Sequence, residues 1–259
     1  MGKKVFIVDL SYCSCCHNCQ VACKDEHCGR AWLPYAEQQP MTGQFWCRVD
    51  QKDRGTVPKV RVSYVPKFGA QDEAIREYAP EAVQQRDDGL IVLDPEACRG
   101  RKDIADKFDG VYWNEELGIA QGCTGCAHLI DDGWDVPHCV DVCATGALRF
   151  GDEEDFADEI ARAEQLTPGS RVYYLNLPKR FVAGEVYDEE ADEVIEGMKI
   201  QLLEGSSVVA ETESDDFGDF WFDQVEPASY AVKFLFDGAE KTVDADATEL
   251  DVNVGAIAF

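Results

Sequence analysis

The stretch DLSYCSCCHNCQVAC, running from Asp9 to Cys23, places five cysteines within eleven positions. Four of them, Cys13, Cys16, Cys19 and Cys23, have the spacing C-x2-C-x2-C-x3-C. Three thiols at that interval suit a tight loop closed around one face of a polynuclear cluster. The fourth is free to serve a different set. The motif therefore calls for a second half elsewhere in the chain.

That half is present as Cys123-x2-Cys126, twelve residues, then Cys139-x3-Cys143. This is bacterial iron-sulfur spacing, in which each motif hands its fourth cysteine to the other cluster. The crossed assignment gives one [4Fe-4S] cluster to Cys13, Cys16, Cys19 and Cys143. The other takes Cys23, Cys123, Cys126 and Cys139. Zinc competes for paired C-x2-C units, but three successive ligands followed by x3-C suit its tetrahedral site poorly. Of the remaining four cysteines, Cys15, Cys28 and Cys47 read as packing residues. The histidines His17, His27, His128 and His138 flank the motifs and read as hydrogen-bonding neighbours of the ligands.

The 259-residue chain is long enough for two domains and a sizeable core, so its twelve cysteines are not needed as staples. The N-terminal MGKKVFIVDL has too short an apolar run for a signal segment, and no run approaches a membrane span. A reducing compartment, the cytoplasm, is the expectation, although a signal-bearing partner could export the folded chain. The net charge of −27 argues against nucleic acid and anionic membrane. From Phe181 onward there are 21 acidic residues against three lysines, so the acidity sits mainly in the C-terminal third, where it reads as a solvated surface.

Up to about residue 151 the texture is loop-rich, with short strand-like pieces such as KKVFIVD and GLIVLD. DEEDFADEIARAEQL, 152–166, spaces Phe156, Ile160 and Ala163 for one amphipathic helix, and RVYYLNLP, 171–178, reads as a strand. After Arg180 the pattern alternates. Met198, Ile200 and Leu202 share a face; so do Tyr230, Val232, Phe234 and Phe236, and Leu250, Val252 and Val254. About seven strands separated by turn signals predict a β-sandwich, Ig-like or prealbumin-like, over 181–259. The fold class expected is α+β: a loop-rich domain over 1–180, ferredoxin-like of the bacterial 2[4Fe-4S] type, then an all-β sandwich.

The first motif after VDLSYC, the stretch DDGLIVLDPEACRG, and GCTGCAHLIDDGWDVPHCVDVCATGAL together make the chain resemble a known family. It is that of the four-cluster ferredoxin-type electron-transfer subunits of molybdopterin oxidoreductases, which includes dimethyl sulfoxide reductase. YWNEE, CAHL, VYY with NL and the terminal sandwich are most similar to the small subunits of phenol transhydroxylases. Family members carry two further cysteine groups. Here SYVPKFGAQDEAIREYAPEA, 63–82, has no cysteine, and in PEACRGRKDIADKFDGVYW only Cys98 survives, with Arg101 at its partner's place. One cysteine cannot hold a cubane, so two clusters are expected, with a cluster-free half at about 50–115. The proline usual after the last ligand is also replaced, by Lys24 and by Ala144.

The resemblance implies an electron-transfer subunit serving a large molybdopterin-containing catalytic subunit that acts on phenolic aromatics, by transhydroxylation or reductive dehydroxylation. A soluble ferredoxin-like carrier with transient partners is the alternative, and a purely structural role for the clusters a third reading. No nucleophile-base pair or Gly-rich phosphate loop points to catalysis by this chain. Asp131, Asp132 and Asp141, near the second motif, are expected to lower the cluster potentials.

Overall fold

The computed structural model describes residues 3–69 and 73–259. Residues 70–72, within the cysteine-free stretch 63–82, lie outside the described residues. The chain divides into two units: Met1–Gln51 with Tyr64–Leu177, and Lys52–Ser63 with Pro178–Phe259. Both halves of this division matter, because the sequence assigned Lys52–Ser63 to the first domain.

In the first unit the elements run β1 (Lys4–Asp9), α1 (Asn18–His27), the hairpin β2 (Cys47–Thr56) and β3 (Lys59–Phe68), α2 (Glu73–Tyr78), β4 (Val83–Gln85), β5 (Ile91–Leu93), α3 (Lys102–Lys107), β6 (Tyr112–Asn114), β7 (Ile119–Gln121), α4 (Ala127–Asp131), α5 (His138–Asp141), β8 (Leu148–Asp152), α6 (Ala157–Ile160) and β9 (Val172–Leu175). β1 is the middle of a three-stranded sheet, antiparallel to β8 and parallel to β9. Val5 to Val8 are all buried, as the uninterrupted VFIV run requires of a central strand covered on both faces. β1 delivers the chain directly into the first cysteine loop.

Two apolar clusters organise the rest of this unit. Phe6, Val8, Trp46, Val92, Leu148, Phe150 and Tyr174 pack with Cys19, Cys23, Cys47, Cys123 and Cys139, so thiols form part of this core. A separate cluster gathers Ile75, Ala79, Ala82, Leu93, Ile104, Val111 and Ile119 around Cys98, which is fully buried. Where the sequence lacks cysteines, ordinary hydrophobic packing takes over.

The helix expected over 152–166 is broken. A 3-10 turn, Glu153–Phe156, leads into the single turn of α6. Phe156, Ile160 and Ala163 do pack on Val5, Ile7 and Leu175, as their spacing required. The helix stops because Glu164 exchanges two backbone hydrogen bonds with Tyr174, each 2.8 Å, and that pairing needs extended chain.

The second unit contains β10 (Arg180–Asp188), β11 (Glu193–Val194), β12 (Lys199–Glu204), β13 (Ser207–Glu213), β14 (Asp219–Val225), β15 (Ser229–Phe236), β16 (Ala239–Asp246) and β17 (Val252–Ala258). They form two four-stranded sheets. In one, β10 pairs with β11, β14 and β17; the other has the order β13-β12-β15-β16. Val182, Val186, Phe220 and Phe222 from the first meet Ile200, Leu202, Val232 and Phe234 from the second in one core, which makes this a β-sandwich. The alternation placed Met198, Ile200, Leu202, Tyr230, Val232 and Phe234 correctly inside. Leu250 is the exception: it is 69% exposed and lies before β17 begins.

The hairpin tip, Lys52–Ser63, is bound to this sandwich by charge. Arg54 pairs with Asp251, Lys59 with Asp219 and Glu185, and Arg61 with Asp223. The Arg61 guanidinium also lies 3.9 Å from the Trp221 ring centroid. Part of the acidity of the C-terminal third is therefore internal counter-charge rather than solvated surface.

Candidate metal centres

The loop between β1 and α1 carries Cys13, Cys15 and Cys16. Cys15 and His17 both sit at φ 60, left-handed backbone that turns a chain sharply at a cost of about 1 kcal/mol or more per residue. α1 then projects Cys19, Cys23, Glu26 and His27 inward, positions one and two turns apart on a single helical face. Ten residues are too few for a stable isolated helix, so this face is held by what it packs on, including α5.

Cys13, Cys16, Cys19 and Cys143 line one cleft, together with Cys15, Val49, Pro66, Ala147 and Leu148. It encloses about 340 Å³ of space outside protein atoms, its open mouth included. The Leu148 N–H points at Cys143 Sγ, 3.4 Å away, and the Thr145 hydroxyl lies 3.8 Å from the same sulfur. Amide and hydroxyl donors of this kind suit a thiolate.

Cys23, Cys123, Cys126 and Cys139 form a second neighbourhood, and all four are buried. Burial, and then the proximity of Cys123 and Cys139, pushes the Cys23 thiol well above its ordinary pKa. Burial followed by Cys139, Cys23 and Cys123 does the same to Cys126. The Gly125 N–H points at Cys123 Sγ at 3.4 Å. Cys126 opens α4 in left-handed backbone at φ 50, so Cys123 to Cys126 is another tight thiol loop. Among the described residues no three His, Cys, Asp or Glu side chains converge closely enough to hold a single metal ion. A cubane binds one thiolate at each iron, so its ligands need not converge on a single point.

Cys47 packs in the core, as its sequence reading expected, and has thiol neighbours that the sequence did not reveal. Its thiol lies beside those of Cys139 and Cys19, one from each set, and hydrogen bonding with them raises its pKa. Cys15 and Cys28, read as packing residues, are only partly buried. Cys98 stands apart in the apolar cluster, its Sγ 3.7 Å from the Ala82 carbonyl oxygen.

Three histidines bond close to the second set. His27 Nδ1 lies 3.0 Å from the Cys23 carbonyl oxygen. His128 Nε2 and His138 Nδ1 each lie 3.0 Å from a different oxygen of Glu26. Burial alone would raise the Glu26 pKa, but the hydrogen bonds from His128 and His138 hold it below the ordinary value. Sequence reasoning missed Glu26. Its only signal is its place in CKDEH, one turn beyond Cys23. Asp131, expected to weigh on the potentials, is instead neutralised by the Arg86 guanidinium at 2.6 and 2.9 Å and by the Tyr35 hydroxyl, which hold its pKa at about 2.

These features define an iron-sulfur protein: a family model described as 4Fe-4S dicluster domain matches residues 71–153, and one described as carboxypeptidase regulatory-like domain matches 182–256. The chain is 30% identical over 276 residues to the pyrogallol hydroxytransferase small subunit of Pelobacter acidigallici, covering 99% of each. It belongs to the family of that small subunit. It is also 26% identical to one of the chains of anaerobic dimethyl sulfoxide reductase from Escherichia coli K12, over 65% of this protein and 83% of that one. One of the subunits of sulfite dehydrogenase from Allochromatium vinosum is 26% identical, over 75% and 90% respectively.

Proposed function

We propose that this chain is an electron-transfer subunit with two [4Fe-4S] clusters, one on Cys13, Cys16, Cys19 and Cys143, the other on Cys23, Cys123, Cys126 and Cys139. The observation that carries the reading is the gathering of eight cysteines, from segments more than a hundred residues apart, into two sets joined by α1. When bound, such clusters supply single-electron transfer without bond chemistry on a substrate. The chain's own task is to hold them, to exclude water from the buried set and to aim donors at the sulfurs. The first unit is ferredoxin-like of the two-cluster bacterial type, with its cluster-free half at about 50–115 filled by the core around Cys98. The second is a sandwich of Ig-like or prealbumin-like kind whose role is support or docking.

Likeness to the hydroxytransferase small subunit supports a large molybdopterin-containing catalytic partner acting on phenolic aromatics, by transhydroxylation or reductive dehydroxylation. The cytoplasm is the compartment proposed. No helix among the described residues is long and apolar enough to cross a membrane.

The test is iron, acid-labile sulfide and molybdenum on anaerobically isolated complex. About eight iron and eight sulfide per chain, with molybdenum in a co-purifying large chain, is the expected result. About twelve iron would overturn the two-cluster count, and zinc without sulfide would overturn electron transfer. Complete dissociation of the chain from any molybdenum protein would favour the diffusible carrier.

A further inference from the structure

The second cysteine set is assembled from three pieces of chain: α1 with Cys23, the loop and start of α4 with Cys123 and Cys126, and α5 with Cys139. Among the described residues no strand pairing joins these pieces, and α4 and α5 span five and four residues. α1 packs directly on α5, and side-chain bonds reach from it to both other pieces.

Glu26 makes both of these bonds. It lies three residues after Cys23, is 8% exposed, and its two carboxylate oxygens go to different pieces. Oε1 meets His128 Nε2, two residues beyond Cys126; Oε2 meets His138 Nδ1, directly before Cys139. Both imidazoles are themselves oriented. His128 stacks on Trp32 with ring centroids 4.4 Å apart and planes 10° apart, and its edge meets His27 at 5.5 Å. Trp32 in turn donates its indole N–H to the Glu26 carbonyl oxygen at 3.1 Å. His138 lies edge-on to Trp134. The ring of contacts therefore starts and ends on α1.

We propose that Glu26 is a positioning residue for the second cluster: its carboxylate is the brace that holds Cys23, Cys126 and Cys139 at cluster-binding separation. The proposal rests on the ligand assignment above. The geometry fixes the chemistry required. His128 donates from Nε2 and His138 from Nδ1, so a side chain at position 26 must accept or exchange hydrogen bonds at two points about a carboxylate's width apart. Leucine has similar bulk and neither point. Glutamine retains both, provided one imidazole changes tautomer to accept from the amide. Hydrogen-bonding neighbours of metal ligands typically alter metal retention by about 10- to 100-fold.

The experiment compares wild type, Glu26→Leu and Glu26→Gln in the isolated complex, reading iron per chain, the rate of iron release to a chelator, and the low-temperature magnetic resonance of the reduced clusters. With the brace correct, Glu26→Leu falls toward about four iron per chain, or releases half of its iron about tenfold or more faster, while the other cluster's signal persists. Glu26→Gln stays close to wild type. A second pair guards against misfolding: His138→Asn presents a donor where Nδ1 stands and retains the cluster, whereas His138→Ala releases it. Equal iron and equal release rates in all variants would overturn the brace, as would equal loss in Glu26→Leu and Glu26→Gln, or loss of both clusters together. Wild type without iron and sulfide would instead overturn the ligand assignment itself.

Discussion

Arg54 and Asp251, 197 residues apart in sequence, form a two-bonded ion pair whose side chains are only 10% and 5% exposed. Asp251 also accepts the Phe181 backbone N–H at 3.1 Å. Removing one member of such a pair strands a buried charge, so Asp251→Ala is expected to destabilise the chain by about 3 kcal/mol. Arg61 and Asp223, both about half exposed, make the control: Asp223→Ala is expected to cost less than about 1 kcal/mol. Denaturant unfolding followed by tryptophan fluorescence checks both, and equal effects would contradict the burial argument.

Gly184 on β10 is a second point of sensitivity. A methyl group there would sit 2.8 Å from both the Phe220 ring and a Val254 methyl. Overpacking of this kind costs about 1–3 kcal/mol, so Gly184→Ala is expected to lower the melting temperature of the sandwich. Adding Phe220→Leu to that variant should restore part of the loss.

Cys98 is expected to behave as a core residue and never as a ligand. Burial pushes its thiol up to about 12, so it resists alkylation in the native protein and reacts on unfolding, which mass spectrometry resolves. The sign of its pH effect follows. Between pH 9 and 12 the unfolded chain has lost this proton while the folded chain retains it, so stability falls as pH rises through that window. Cys98→Ala should decline less steeply there than wild type, and should keep its full iron content.

Thr145 offers a test of potential rather than of stability. Its hydroxyl lies 3.8 Å from Cys143 Sγ, and hydrogen bonds to cluster sulfurs favour the reduced state. Thr145→Val is expected to lower the midpoint potential of that cluster alone, and Thr145→Ser to leave it in place. A redox titration in which both variants match wild type would remove Thr145 from the description.

What could be read in advance was whatever a spacing encodes. The cysteine intervals grouped Cys13, Cys16 and Cys19 with Cys143, and all four line one cleft in the structure. Period-two alternation likewise put Ile200, Val232 and Phe234 in the sandwich core. Features that depend on distant chain were not legible. Nothing local marks Glu26 as the partner of two histidines more than a hundred residues on, or Cys47 as a neighbour of both thiol sets. The expected helix over 152–166 failed for the same reason, since its end is decided by Tyr174. The acidity of the last third could be counted, but not that Asp219 and Asp251 are met by bases from a hairpin.

That hairpin gives the chain an order of assembly. Translation delivers the tip, with Lys52, Arg54, Lys59 and Arg61, long before Asp219, Asp223 and Asp251 leave the ribosome. All the cysteines have also been made by then, so the nascent chain can gather its thiols while still carrying a basic loop without its acidic seat. Capture of that loop by the emerging sandwich is expected to follow, and because it joins opposite charges it should slow as salt rises. A ribosome that stops anywhere before Asp251 leaves Arg54 without its seat. An error in the stretch that encodes Asp251 is thereby registered in a hairpin made 197 residues earlier.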